Sequence, residues 1–215
     1  MDRELARLGP IAQLRAGRLA RRLPQLLVGL TLYGVTLVLL IRARLGNAPW
    51  DVLHQGLAIH LPFTIGEVLI GVSAVVLVLW IPLRELPGLG TVLNAVLVGV
   101  VADATLAVVG TPDAWWERGL MVVLGVLGNA VATALYIGSQ LGPGARDGLM
   151  TGLHRRTGVS IRVVRLGLEV SVVVIGFLLG GTLGVGTVLY ALAIGPLVQL
   201  MLPWCVVELV SDGSR

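Results

Sequence analysis

Apolar residues gather into six long stretches, near 26–41, 63–83, 89–110, 119–138, 163–180 and 183–204, separated by segments rich in glycine, proline and charge. A helix needs about 20 residues to cross about 30 Å of hydrocarbon, a length most of the stretches reach and the first and fifth nearly reach. The pattern therefore predicts an all-α membrane protein with six transmembrane helices. Two shorter segments, GNAPWDVLHQGLA (46–58) and GPGARDGLMTGLH (142–154), follow the first and fourth spans and are apolar on one face only. A helix of about ten residues is about 15 Å long, so each segment is either a re-entrant half-helix or an interfacial helix lying flat. In the flat form Asp51 and Asp147 would cap the first turns. In the re-entrant form the positive helix ends and their free N–H groups would face the protein interior, where an anion or carbonyl can bind.

Shifting the chain by 96 residues lays the two short segments on each other, and lays GLGTVLNA (88–95) on GVGTVLYA (184–191). Residues 45–103 and 141–199 align without a gap, with roughly three times the identities that this biased composition gives by chance. Three spans are an odd number, so the second copy of the unit enters the membrane from the opposite side, as an inverted repeat. Repeat 1 is expected over about 24–110 and repeat 2 over about 119–206, within one membrane domain (24–208) followed by a tail (209–215). Residues 1–23 place Leu5, Leu8, Ile11, Leu14 and Leu19 at helical spacing among arginines, which predicts a basic amphipathic segment on the inner leaflet. The first span has basic residues before it but no A-x-A-like cleavage site after it, so it is read as a signal-anchor-like span. The paired glycines Gly71/Gly167, Gly88/Gly184, Gly90/Gly186 and Gly99/Gly195 are expected to let helix backbones approach closely.

Composition strengthens the membrane reading: 56% of residues are hydrophobic and 13% charged, against roughly 45–50% and 25% in soluble domains. The single Cys205 excludes a disulfide framework and a cysteine zinc site. The net charge of +4 does not point to nucleic acid, because the 16 basic residues are all arginines confined to loops and span ends. With the N-terminus in the cytoplasm, 13 arginines fall inside and only Arg42, Arg44 and Arg118 outside, which places both termini in the cytoplasm. The five tryptophans are expected to anchor the helices at the two membrane surfaces.

Charges at membrane depth are costly, at least ~2.5–3.5 kcal/mol for a carboxylate near the bilayer centre, so they are expected to be paired or functional. Glu169 has Arg165 one turn away and is expected to pair with it. Asp103 has no charged neighbour within a turn, which makes it the candidate for proton exchange; Glu67 lies one turn inside the second span. His54 follows Asp51 by three positions and can share its helix face, while His60 and His154 are read as loop residues. Asn94, Asn129 and Gln199 are expected to bond between helices or line a pore. The candidate binding residues are thus Asp51, Asp147, Arg146, Asp103, Glu67, Glu169, Arg165 and His54. No nucleophile elbow, H-E-x-x-H or phosphate-binding glycine loop is present, so neither an enzyme, a metal site nor a cofactor is expected.

GNAPWDVLHQGLA and RDGLMTGL, followed by GTVLYALAIGPLVQ (186–199), resemble the YczE/YyaS/YitT-type bacterial integral membrane proteins, most closely the YczE-like branch. One departure stands out: the family pattern carries a proline just before R-D, whereas here Ala145 holds that place and Pro143 lies two residues earlier. The resemblance implies a multi-pass protein of the bacterial inner membrane and offers no substrate. The expected partners are the lipid bilayer and a small-molecule solute, with homo-oligomers left open. The expected function is that of a permease or exporter, proton-coupled in one version. The alternative is a non-transporting scaffold, regulator or S-component-like substrate binder.

Overall fold

The computed structural model describes residues 9–209, which form α-helices and no strand. In chain order these are α1 (Pro10–Arg15), α2 (Leu19–Ala43), α3 (Pro49–His60), α4 (Ile65–Leu83), α5 (Leu89–Val108), α6 (Trp115–Gly138), α7 (Ala145–Thr157), α8 (Ile161–Leu178) and α9 (Val185–Cys205). Helices α2, α4, α5, α6 and α9 are long and apolar enough to cross a membrane. The fifth stretch expected from the sequence is α8, a helix of 18 residues that carries Arg162, Arg165 and Glu169. Of the amphipathic N-terminal segment, Leu5 and Leu8 lie outside the described residues, as does most of the tail at 210–215, while Ile11, Leu14 and Leu19 are exposed.

The 96-residue repeat reappears element by element: α2 and α6, α3 and α7, α4 and α8, and α5 and α9 begin 96 residues apart. The two copies are interleaved. Helices α2 and α6 pack along each other at the centre; α5 lies on α2 and α9 on α6, while α3 packs on α8 and α7 on α4. The bends that follow α2 and α6 make this exchange. Gly46 and Gly142 have φ of +117° and +127°, left-handed values that favour glycine, and each turns its chain onto the other copy. The Gly186 N–H then donates to the Leu45 carbonyl and the Gly90 N–H to the Leu141 carbonyl, both at 2.7 Å. These bonds satisfy first-turn donors of α9 and α5 that have no partner within their own helix.

Close approach decides which glycines matter. A Cβ on Gly56 of α3 would lie 2.6 Å from the Gly176 carbonyl of α8, so the two backbones touch through missing side chains. The equivalent contact of α7 on α4 is made differently: Gly148 leaves room for the ring of Trp80, whose Nε1–H donates to the Ala145 carbonyl at 3.0 Å. Where α4 has Trp80, α8 has Gly176, and the small partner has moved to the other helix, since α3 carries Val52 opposite Gly176 and α7 carries Gly148 opposite Trp80. Gly88, Gly90, Gly99, Gly184 and Gly186 do sit against neighbouring backbone, but Gly71, Gly167 and Gly195 have nothing within 4 Å and are not packing positions.

Other expectations are corrected by burial. Trp115, Trp116 and Trp204 are exposed as anchors would be, but Trp50 and Trp80 are buried inside the bundle. His60 and His154 belong to the last turns of α3 and α7 and not to loops. Arg22 does more than set topology: its fully buried guanidinium donates to the carbonyls of Ser139 (2.7 Å), Gln140 (2.6 Å) and Gln13 (2.6 Å). A cation thus closes the C-terminal end of α6, where unpaired carbonyls and the helix dipole favour positive charge.

Candidate functional site

The first turns of α3 and α7 meet inside the bundle, and two cavities flank the meeting point. One, of about 20 Å³, is bounded by α4 and α5 through Leu69, Ser73, Asn94 and Val98. The other, of about 220 Å³, is bounded by α8 and α9 through Arg165, Glu169, Tyr190 and Ile194. Each of these four residues stands 96 positions after its counterpart in the first cavity, so the cavities are equivalent under the repeat and unequal in size. The physical reason lies in the helix pairs: α4 packs along α5 and closes the small cavity, whereas α8 is not packed along α9. Tyr33, Trp50 and Arg146 line both cavities and form the partition between them.

Arg146 occupies the second position of α7. Its guanidinium donates to the Tyr33 hydroxyl and lies 5.8 Å from the Tyr33 ring centre and 5.7 Å from that of Trp50, within the range of cation–π attraction. Asp51 and Asp147 occupy the third positions of α3 and α7, while Ala48 and Gly144 are the residues that cap these helices, so the aspartates are not caps. Asp51, buried, pairs with His54 Nδ1 at 3.1 Å. Asp147 accepts a hydrogen bond from the Tyr136 hydroxyl at 2.8 Å. Neither carboxylate comes within the 4.0 Å of an ion pair with Arg146. Arg165 and Glu169 pair across one turn of α8 at 2.9 Å on the wall of the large cavity. Gln199 lines the same cavity and Asn94 the small one. Asn129 bonds between helices, accepting from the Tyr190 hydroxyl at 2.8 Å.

Six of the eight residues singled out in the sequence therefore converge: Asp51, His54, Arg146, Asp147, Arg165 and Glu169. Glu67 and Asp103 do not. Both instead bond Thr64 at the start of α4, where Glu67 completes a capping box with it. Asp103 is not a carboxylate without partners: it accepts the Thr64 hydroxyl at 2.5 Å and the Gly66 N–H at 2.8 Å. The aromatic residues of the site, Tyr33, Trp50, Tyr136 and Tyr190, were not legible as a group. Each stands alone in an apolar run, and the only signal was that Trp50 adjoins Asp51 while its repeat mate is Arg146.

The model of the family of unknown function DUF6198 matches residues 20–203, nearly the whole described chain. An uncharacterized protein of Haemophilus influenzae is 42% identical over 177 residues, 82% of this chain and 81% of that protein. The uncharacterized membrane protein YczE of Bacillus subtilis is 31% identical over 172 residues, 80% of each chain. No solved structure matches the chain.

Proposed function

Because the chain belongs to the YczE-like membrane proteins of the family of unknown function DUF6198, we propose a role from its own geometry: it is a permease that carries a small solute past Arg146. The observation that carries this reading is the pair of repeat-equivalent cavities, about 20 and 220 Å³, on either side of one partition. A duplicated unit with equivalent halves has two states of equal kind, one with α8 away from α9 and one with α4 away from α5. Exchange between them would present the partition to alternate sides of the membrane. In this reading α8 is the sixth span, its Arg165 and Glu169 turned to the cavity and neutralising each other, and the two halves are inverted in the bacterial inner membrane with both termini in the cytoplasm. Proton coupling suits Asp51 and His54 better than Asp103, since both face the small cavity, whose other ionisable side chains are Tyr33 and Arg146.

Single cysteines test the reading in a Cys205→Ser background. Asp113→Cys should react with an impermeant thiol reagent on whole cells and Arg155→Cys should not. In oriented vesicles Ile194→Cys, in the large cavity, and Val98→Cys, in the small one, should each be labelled from opposite faces. Labelling of both from the same face, or protection of Val98→Cys under every condition, contradicts alternating access.

A further inference from the structure

Two groups at the partition have donors to spare. Arg146 carries a full charge inside the bundle, donates to one neutral hydroxyl beside two aromatic faces, and feels the nearby carboxylates of Asp51 and Asp147 without forming an ion pair with either. The nearest acids are engaged elsewhere, Asp147 with Tyr136 and Asp51 with His54. Trp50, only 6% exposed, has a buried Nε1–H with no acceptor. An unpaired buried donor is costly, and a cation in a low-dielectric interior is costlier still, unless an acceptor arrives. Both belong to residues that line the two cavities, and the Arg146 guanidinium lies 5.7 Å from the Trp50 ring centre, which puts the two donors within the span of one small ligand.

From this we infer that the permease proposed above takes a small monocarboxylic acid in its anionic form, with its carboxylate on the Arg146 guanidinium and the Trp50 Nε1–H. The chemistry is selective in three ways. A planar carboxylate matches the fork of a guanidinium and accepts from a third donor with a remaining lone pair. Arg165 and Glu169 cancel, and Asp51 and Asp147 already stand near Arg146, so one added negative charge is tolerated better than the two of a dianionic phosphate. Amines meet the wrong charge at Arg146, and neutral amides accept its N–H groups more weakly than a carboxylate does.

The inference rests on the permease reading but is tested apart from it. Full-length protein in nanodiscs would be titrated with acetate, lactate and benzoate, with lactamide and benzamide as neutral counterparts, and with methylammonium and inorganic phosphate. Melting temperature and tryptophan fluorescence are the readouts. At least one carboxylate should raise the melting temperature in proportion to the logarithm of its concentration, while its amide does not. Arg146→Gln should weaken that binding at least tenfold. Trp50→Phe keeps the ring, removes the N–H and should weaken it several-fold, and it serves if Arg146→Gln does not fold. Arg118→Gln, outside the site, should change nothing. Equal binding of acids and amides, tighter binding of phosphate or methylammonium, silence from the whole panel, or full affinity in Trp50→Phe would each overturn the assignment. Carboxylate binding by a protein whose Val98→Cys is never labelled would keep the site and remove the permease.

Discussion

Asp103 stands where two accounts of a membrane carboxylate give different numbers. It joins α5 to the first turn of α4, accepting one backbone N–H and one hydroxyl. Hydrogen bonds to a charged acceptor contribute about 1.5–3 kcal/mol each, and a carboxylate at a helix N-terminus contributes a further ~0.3–1 kcal/mol. Asp103 is half-buried and Thr64 exposed, so the lower ends apply, and Asp103→Ala should cost about 3 kcal/mol. Asp103→Asn keeps an oxygen for the Gly66 N–H and turns an amide toward the Thr64 oxygen, losing only the charge; it should cost about 1 kcal/mol. Reversible unfolding in mixed micelles, followed by tryptophan fluorescence, separates the two variants. An alanine variant as stable as the parent, or an asparagine variant worse than alanine, would refute the anchoring role. Uptake whose dependence on a pH gradient disappears in an otherwise stable Asp103→Asn would return this residue to proton coupling.

Gly56→Ala places a Cβ 2.6 Å from the Gly176 carbonyl and should destabilise by about 1–3 kcal/mol as α3 is pushed off α8. Gly71→Ala meets nothing within 4 Å and should be neutral or stabilising by up to ~1 kcal/mol; the same unfolding assay distinguishes them, and equal losses would dismiss the contact. Arg22→Met removes the donor of two carbonyls at the end of α6 and one in α1 and should cost about 3 kcal/mol, yet leave the labelling of Asp113→Cys unchanged; a reversed labelling pattern would mean that Arg22 acts through topology after all.

The helices were legible because run length and apolarity are local properties. The repeat was legible too, down to the register in which α3 and α7 begin. Placement of side chains was not. Asp103 has no charged neighbour within one turn of its own helix, and its partner Thr64 is 39 residues away in the chain. Trp50 and Trp80 read as surface anchors because an aromatic in an apolar run looks the same whether lipid or protein faces it. The exchange of short helices, α3 onto α8 and α7 onto α4, leaves no mark on either repeat read alone, since the glycines that permit it resemble those at Gly71 and Gly167, which touch nothing. The convergence of Asp51 and Asp147 could be anticipated from the repeat, but not that Arg146 would stand between two cavities of different size.

The trade of Trp80 with Gly148 for Gly176 with Val52 governs which halves can assemble. Two copies of the first half would drive the Trp80 indole into Val52 and overfill the junction; two copies of the second would set Gly176 against Gly148 and leave a hole where a ring belongs. Each half therefore rejects its own kind and accepts the other, a discrimination built from volume alone. A gene encoding either half by itself would yield an unmatched piece, and the two genes expressed together should meet only as a mixed pair. Covalent fusion then secures a partnership that the fit between large and small had already made exclusive.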